Sequence, residues 1–153
     1  MSVPPGHTLL VATVIAHDPD SDRLLLLRRG PRASFGTGWW DLPGGKHESG
    51  EPVTTTAQRE LAEETGLMTA PESLRLVHVL HAPPTTTAPG GYLTLTFLTH
   101  IWTGHAHNRE PDKHDHLDWF PRHALPAPLL PSTAQALRPP LHPDTPHLTL
   151  HGW

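Results

Sequence analysis

Three observations predict an α+β layered fold, a mixed sheet flanked by helix in a single domain. The chain has 153 residues, about one domain's worth. Its short apolar runs, bounded by Gly, Pro and Asp, read as strands, while one segment alone carries a long helical period. These elements follow the order β-β-β-α-β-β-β-α with no internal repeat and no second domain, so residues 1–153 form one unit. Its core is placed at about residues 8–138, and residues 139–153 are read as a Pro- and His-rich tail whose end, 151–153, is expected either to fray or to pack Trp153 over the sheet edge or a cleft.

The first strand spans residues 7–16, β-branched and leucine-rich, and the turn-forming residues 17–22 lead into a second at 23–29, giving a hairpin. Leu24 to Leu27 are consecutive, which requires cover on both faces of the sheet. A Gly- and Pro-containing loop follows at 30–38, and a third strand is placed before the helix. Helix is predicted over 52–66: Val53, Ala57 and Leu61 recur every four residues, Pro52 suits the first turn and Gly66 the stop. Thr54, Thr55 and Thr56 are poor helix formers, so packing must hold that turn. Strands are predicted at 74–81 and 92–102, the latter with Leu93, Leu95, Phe97 and Ile101 on one face and Thr94, Thr96 and His100 on a wetter one. A short strand at 117–120 and a helix at 132–138, capped by Ser132, complete the order.

Composition excludes several classes. Lys and Arg number 11 against 15 Asp and Glu, a net charge of −4, which excludes a polybasic binder of nucleic acid polymers. Zero cysteines exclude disulfides, thiolate metal sites and a cysteine nucleophile, so any metal sits on oxygen or imidazole. No apolar run reaches the roughly 18 residues of a membrane span, and residues 1–7 carry no leader-like pattern; the expected location is cytoplasmic, without membrane association. A monomer or homodimer is expected.

Chemistry concentrates on the predicted helix. Glu60, Glu63 and Glu64, spaced i, i+3, i+4, project from adjoining positions of one face, where like charges repel by roughly 0.2–0.5 kcal/mol per pair. A hard divalent cation such as Mg²⁺, with Mn²⁺ as substitute, reverses that sign, because it takes oxygen ligands from one or two carboxylates plus substrate phosphates. Taken alone, the triplet reads more simply as a solvated acidic helix face. Its frame is more specific: Gly45, five residues, Glu51, seven residues, Arg59-Glu60-Leu61, one residue, Glu63-Glu64, one residue, Gly66-Leu67. Leaving Leu61 and Leu67 aside, the seven other fixed identities at ~6% each match by chance on the order of 10⁻⁹ per start position.

This pattern resembles the signature of the Nudix hydrolases, MutT-like enzymes. The resemblance extends upstream to Trp40-Asp41-Leu42-Pro43-Gly44-Gly45 and downstream to Glu110-Pro111-Asp112-Lys113 and Leu117-Asp118-Trp119-Phe120-Pro121. It implies the Nudix fold, an α/β/α sandwich around a mixed sheet, and Mg²⁺-dependent hydrolysis of a nucleoside diphosphate linked to another moiety. A (deoxy)nucleoside triphosphate is the leading substrate expectation. Nucleotide sugars, non-nucleotide diphosphates and a non-catalytic nucleotide sensor are the alternatives. Glu60, Glu63 and Glu64, with Gly44, match the family's metal site, and Arg59 matches the residue that orients Glu60. Glu51 matches a carboxylate near the helix start that binds that Arg or metal-bound water. Glu60 is the first candidate for the proton-accepting base and Glu110 the second.

Selectivity needs groups outside the box, and three segments offer them: 28–38, 83–91 with Tyr92, and 110–116. Arg28 and Arg29 are candidates for phosphate, Phe35 and Tyr92 for stacking on a flat group, and Asp112 for a polar contact. His105 with His107 and His114 with His116 could chelate a transition metal, against a solvated His-rich surface as the plainer expectation.

Overall fold

A computed structural model describes residues 6–153. Eight strands form one mixed sheet: β1 (Leu9–Asp18), β2 (Arg23–Arg29), β3 (Trp40–Asp41), β4 (Gly44–Lys46), β5 (Arg75–Ala82), β6 (Tyr92–Thr99), β7 (His114–Pro121) and β8 (His147–Leu150). Their order is β3-β2-β1-β6-β5-β8, with β4 on β1 and β7 on β2. Helix α1 (Val53–Thr65) covers one face and α2 (Pro131–Leu137) the other, the α/β/α sandwich expected. No helix among the described residues is long and apolar enough to cross a membrane.

The leucine run shows why both layers are needed. Leu24 and Leu26 pack with Ile15, Trp40, Leu98 and Ala136 on the α2 side, while Leu25 packs with Val14, Ala57, Leu61 and Phe97 on the α1 side. All four leucines are fully buried, each contributing roughly 1.5–3 kcal/mol of burial free energy. The hairpin is shorter than expected, because β1 pairs with β2 only at His17 with Leu24 and Asp18 with Arg23. Beyond that point the strands part, β1 joining β4 and β6 while β2 joins β3 and β7.

Helix α1 begins one residue after Pro52, which stands at the N-cap in extended conformation, and ends at Gly66 with φ 78°. Its threonine-rich first turn is held by packing: Thr56 is buried and its Oγ1 donates to Glu51 Oε1 at 2.8 Å.

Several boundaries differ from the sequence reading. The strand expected at 92–102 ends at Thr99, and its wetter face is not wet, since Thr94 and Thr96 are buried and Thr13 and Thr96 share a 2.8 Å hydroxyl bond. A strand between β1 and β5 has cover on both faces, so the threonines satisfy one another; Ile101, expected inside, is exposed beyond the strand end. The strand expected at 117–120 runs over eight residues. Ser132 does not cap α2, which starts at Pro131 with Leu130 as N-cap.

The largest correction concerns residues 139–153. Instead of forming a tail outside the core, they return to the domain: Leu141 is buried beside Val77 and Leu98, and β8 pairs in parallel with β5. Side chains secure the return. His142 stacks on His100 with Nε2 atoms 3.2 Å apart, and His78 Nε2 bonds Thr149 Oγ1 at 2.8 Å. Trp153 Nε1 donates to the His81 carbonyl at 3.1 Å. Leu141→Ala is therefore expected to cost about 2–4 kcal/mol in a urea melt, where a frayed tail would leave the midpoint unmoved.

Candidate active site

Two glycines let the sheet meet the helix. Gly44 and Gly45 on β4 pair with Thr13 and Ala12 on β1, so closely that a Cβ on Gly44 would overlap the Ala12 carbonyl. A Cβ on Gly45 would overlap the Glu60 carboxylate. The close approach of β1 calls for glycine at 44, and the Glu60 carboxylate that α1 lays on the β4 backbone disfavours a side chain at 45.

Glu64 is 5% exposed; its Oε1 accepts the Gly44 N–H at 2.6 Å and its Oε2 lies 3.2 Å from His114 Nε2. Burial pushes its carboxyl well above the usual range, the Gly44 N–H opposes that, and the charges of Glu60, Asp41 and Glu110 add to it. Glu60 is also raised by burial, against the pull of Arg59, whose Nη1 lies 2.9 Å from Oε1. Burial brings the His114 imidazole down to about 4.

Arg59 is the hub of the acidic group. Its Nε and Nη2 reach both oxygens of Glu51, at 3.2 and 2.8 Å, and Nη2 also donates to the Lys46 carbonyl at 3.1 Å. Nη1 serves Glu60 at 2.9 Å and Glu63 at 3.4 Å. Hydrogen bonds from Arg59 hold Glu51 down at about 2. Glu63 has a half-exposed side chain and does not line the cleft formed by the other two glutamates.

Glu60, Glu64, Gly44 and Gly45 line a cleft of about 800 Å³ whose walls carry Arg29, Arg32, Lys46 and Lys113. Asp112 lines it too, exposed and 3.9 Å from Arg32. Of the three segments expected to flank the cleft, the first and third do so; 83–91 and Tyr92 do not line it, although Leu9, the register partner of Tyr92, does. Arg29 faces the cleft while holding Asp41 at 3.4 Å and the Phe35 carbonyl at 2.9 Å, with its guanidinium 4.3 Å from the Phe35 ring centre. Phe35 is exposed outside the lining. Arg28 points to the other face of the sheet, bonded to Asp115 at 2.7 Å and lying over Trp40. Glu110 is paired with Lys113 at 2.6 Å, beside the cleft rather than lining it.

Among the described residues no three His, Asp or Glu side chains converge as a ready ligand set. Glu60 and Glu64 nevertheless fit a hard cation: both are carboxylates, both are buried against their charge, and Glu64 has no Lys or Arg partner. Two carboxylates with the remaining positions left to water and phosphate is what Mg²⁺ accepts. The His105, His107 and His116 side chains form no such set either.

Sequence reasoning missed His114 as a buried partner of Glu64, along with Arg32, Lys46 and His47 in the cleft wall. Lys46 and His47 had a usable signal, since they directly follow the Gly-Gly turn.

A family model described as NUDIX domain matches residues 7–142. The 8-oxo-dGDP phosphatase NUDT18 of Mus musculus is 30% identical over 112 residues, 72% of this chain and 32% of that protein. The uncharacterized Nudix hydrolase YvcI of Bacillus subtilis is 36% identical over 83 residues, 54% of this chain and 49% of that protein. The chain thus spans between a third and a half of the length of these curated relatives. Among solved structures, the MutT NUDIX hydrolase from Burkholderia pseudomallei superposes with a TM-score of 0.74 at 30% identity, over 86% of this chain and 96% of that one.

Proposed function

The chain belongs to the Nudix hydrolase family, and on that premise we propose that it is a Mg²⁺-dependent pyrophosphohydrolase of nucleotides, with a (deoxy)nucleoside triphosphate as its leading substrate. One observation carries the reading: two buried carboxylates, Glu60 and Glu64, lie on the Gly44-Gly45 backbone at a cleft whose walls are basic. Carboxylates alone repel a phosphate chain. Basic walls alone would bind it without activating water.

Glu60 and Glu64, with Gly44 beside them and Glu63 from the same helix, would hold the divalent ion. When bound, the ion neutralises phosphate charge and acidifies the attacking water. Arg29, Arg32, Lys46 and Lys113 supply positive charge for the phosphates not held at the floor. Arg59 fixes Glu60 while leaving its second oxygen without a partner from that guanidinium, so Glu60 is assigned as acceptor of the water's proton. Water oxygen bonds to phosphorus, the bridging P–O bond breaks, and its electron pair leaves with the departing phosphate. Glu110, tied to Lys113, is the second candidate base.

The test is phosphate or pyrophosphate release from a panel of nucleoside triphosphates, nucleoside diphosphates including 8-oxo-dGDP, nucleotide sugars and a non-nucleotide diphosphate. The diphosphates are included because of what the NUDT18 relative acts on. Turnover is expected with Mg²⁺ or Mn²⁺, with loss under EDTA and recovery on adding metal. Full turnover in chelator would overturn the metal-dependent reading, and tight binding without turnover on every compound would mean a sensor.

A further inference from the structure

His114 holds a position that ordinary strand alternation would deny it. Along most of the pairing of β2 with β7 the register is regular, from Arg23 with Pro121 to Arg28 with His116, but Arg29 then pairs with His114, leaving Asp115 as the extra residue of a bulge. Without the bulge, His114 would share a face with His116 and Phe120, which lie against Trp40 on the α2 side. With it, the ring turns to the α1 side and reaches Glu64. The backbone is pinned in that state: His114 N–H donates to the Glu110 carbonyl at 3.0 Å, and Asn108 Nδ2 donates to the His114 carbonyl at 2.7 Å.

The proton on the ring can be placed. His114 Nδ1 is buried with no hydrogen-bond partner, so a hydrogen there would have no acceptor, whereas Nε2 faces a carboxylate oxygen. The single hydrogen of the neutral ring belongs on Nε2, the nitrogen 3.2 Å from Glu64 Oε2. Gly44 N–H already holds Oε1 at 2.6 Å. A hydrogen bond on one oxygen and the His114 ring against the other bound the carboxylate from two sides.

We propose that His114 is a positioning residue for Glu64, its Nε2 set against Oε2 to restrain the carboxylate and thereby setting the affinity of the site for a divalent cation. The proposal rests on the reading of Glu64 as a metal ligand. Partners that orient a ligating carboxylate typically change metal affinity by about 10- to 100-fold when removed.

The experiment titrates Mn²⁺ alone into the protein, without substrate, and follows free Mn²⁺ by electron paramagnetic resonance, with metal-free melting temperatures recorded beside it. His114→Leu removes the donor, and His114→Asn keeps an amide too short to reach the Nε2 position. His114→Gln places an amide N–H near that position. Leu and Asn are expected to raise the Mn²⁺ Kd by about tenfold or more, and Gln to keep it within about threefold of wild type. Should the Leu variant fail to fold, the Asn and Gln pair decides. Unchanged affinity in Leu or Asn overturns the proposal, as does a loss in Gln equal to theirs. Glu64→Gln separates the two layers: Mn²⁺ binding unaffected by that change removes the ligand reading and this proposal with it, whereas loss there beside unchanged His114 variants overturns this proposal alone.

Discussion

Glu64→Gln is expected to lower kcat by about three orders of magnitude while the protein melts at or above the wild-type temperature. Electrostatic stabilisation at a bound metal is worth several kcal/mol, and about 1.4 kcal/mol is one decade of rate. Stability should hold because burial and the charges of Glu60, Asp41 and Glu110 all oppose the ionised carboxyl, and the amide keeps an oxygen for the Gly44 N–H. Steady-state kinetics and thermal melts on one preparation check both halves. A variant that stays active but melts early would assign the carboxylate to the fold.

Arg59→Met is expected to damage both stability and turnover. Arg59 and Glu51 have side chains 21% and 13% exposed, and stripping a paired carboxylate of its arginine in such surroundings costs about 3 kcal/mol where burial is deep, less here because water reaches part of the pair. Glu60 loses its only arginine contact, so kcat should fall as well. Arg59→Lys should recover part of the stability and little of the geometry, since one ammonium cannot serve both oxygens of Glu51 and the oxygen of Glu60 together. The pH dependence gives an independent check. Glu51 is depressed from 4.5 to about 2, so its contribution is complete above pH 4.5 and drains as pH falls toward 2. In urea melts from pH 6 to 2.5, wild type should lose more stability than Arg59→Met; parallel curves would show that the pair contributes nothing.

What could be read in advance follows from the range of the interactions. Leu24 to Leu27 announced cover on both faces because four adjacent leucines cannot all avoid water otherwise, and Val53, Ala57 and Leu61 placed α1 because helical period is local. The carboxylates of α1 were visible for the same reason. Their division of labour was not: spacing puts Glu63 beside Glu60 and Glu64 and four residues after Arg59, but that it stays out of the cleft lining while Glu60 and Glu64 enter it depends on the neighbouring sheet. The bulge that turns His114 inward leaves no mark in composition, since the extra residue is defined only by its partner strand. Strand β8 escaped because its four residues carry no strong pattern, and what seats them is a parallel neighbour and histidines from distant elements.

The central seam of the sheet has a temporal consequence. The parallel pairing of β1 with β6 joins Leu9 to Tyr92 and Ala16 to Thr99, a separation of 83 residues, and it cannot form until β6 exists. At ~5–20 residues per second of synthesis, β1 waits about 4–17 s for its partner on the ribosome. During that interval the nascent chain has made β2 and α1, yet Phe97, which packs with Leu25 and Leu61, has not been added. A chain built this way leaves its apolar surfaces open longest in the middle of its own translation, when a holding chaperone has most to gain and an adjacent nascent chain most to catch.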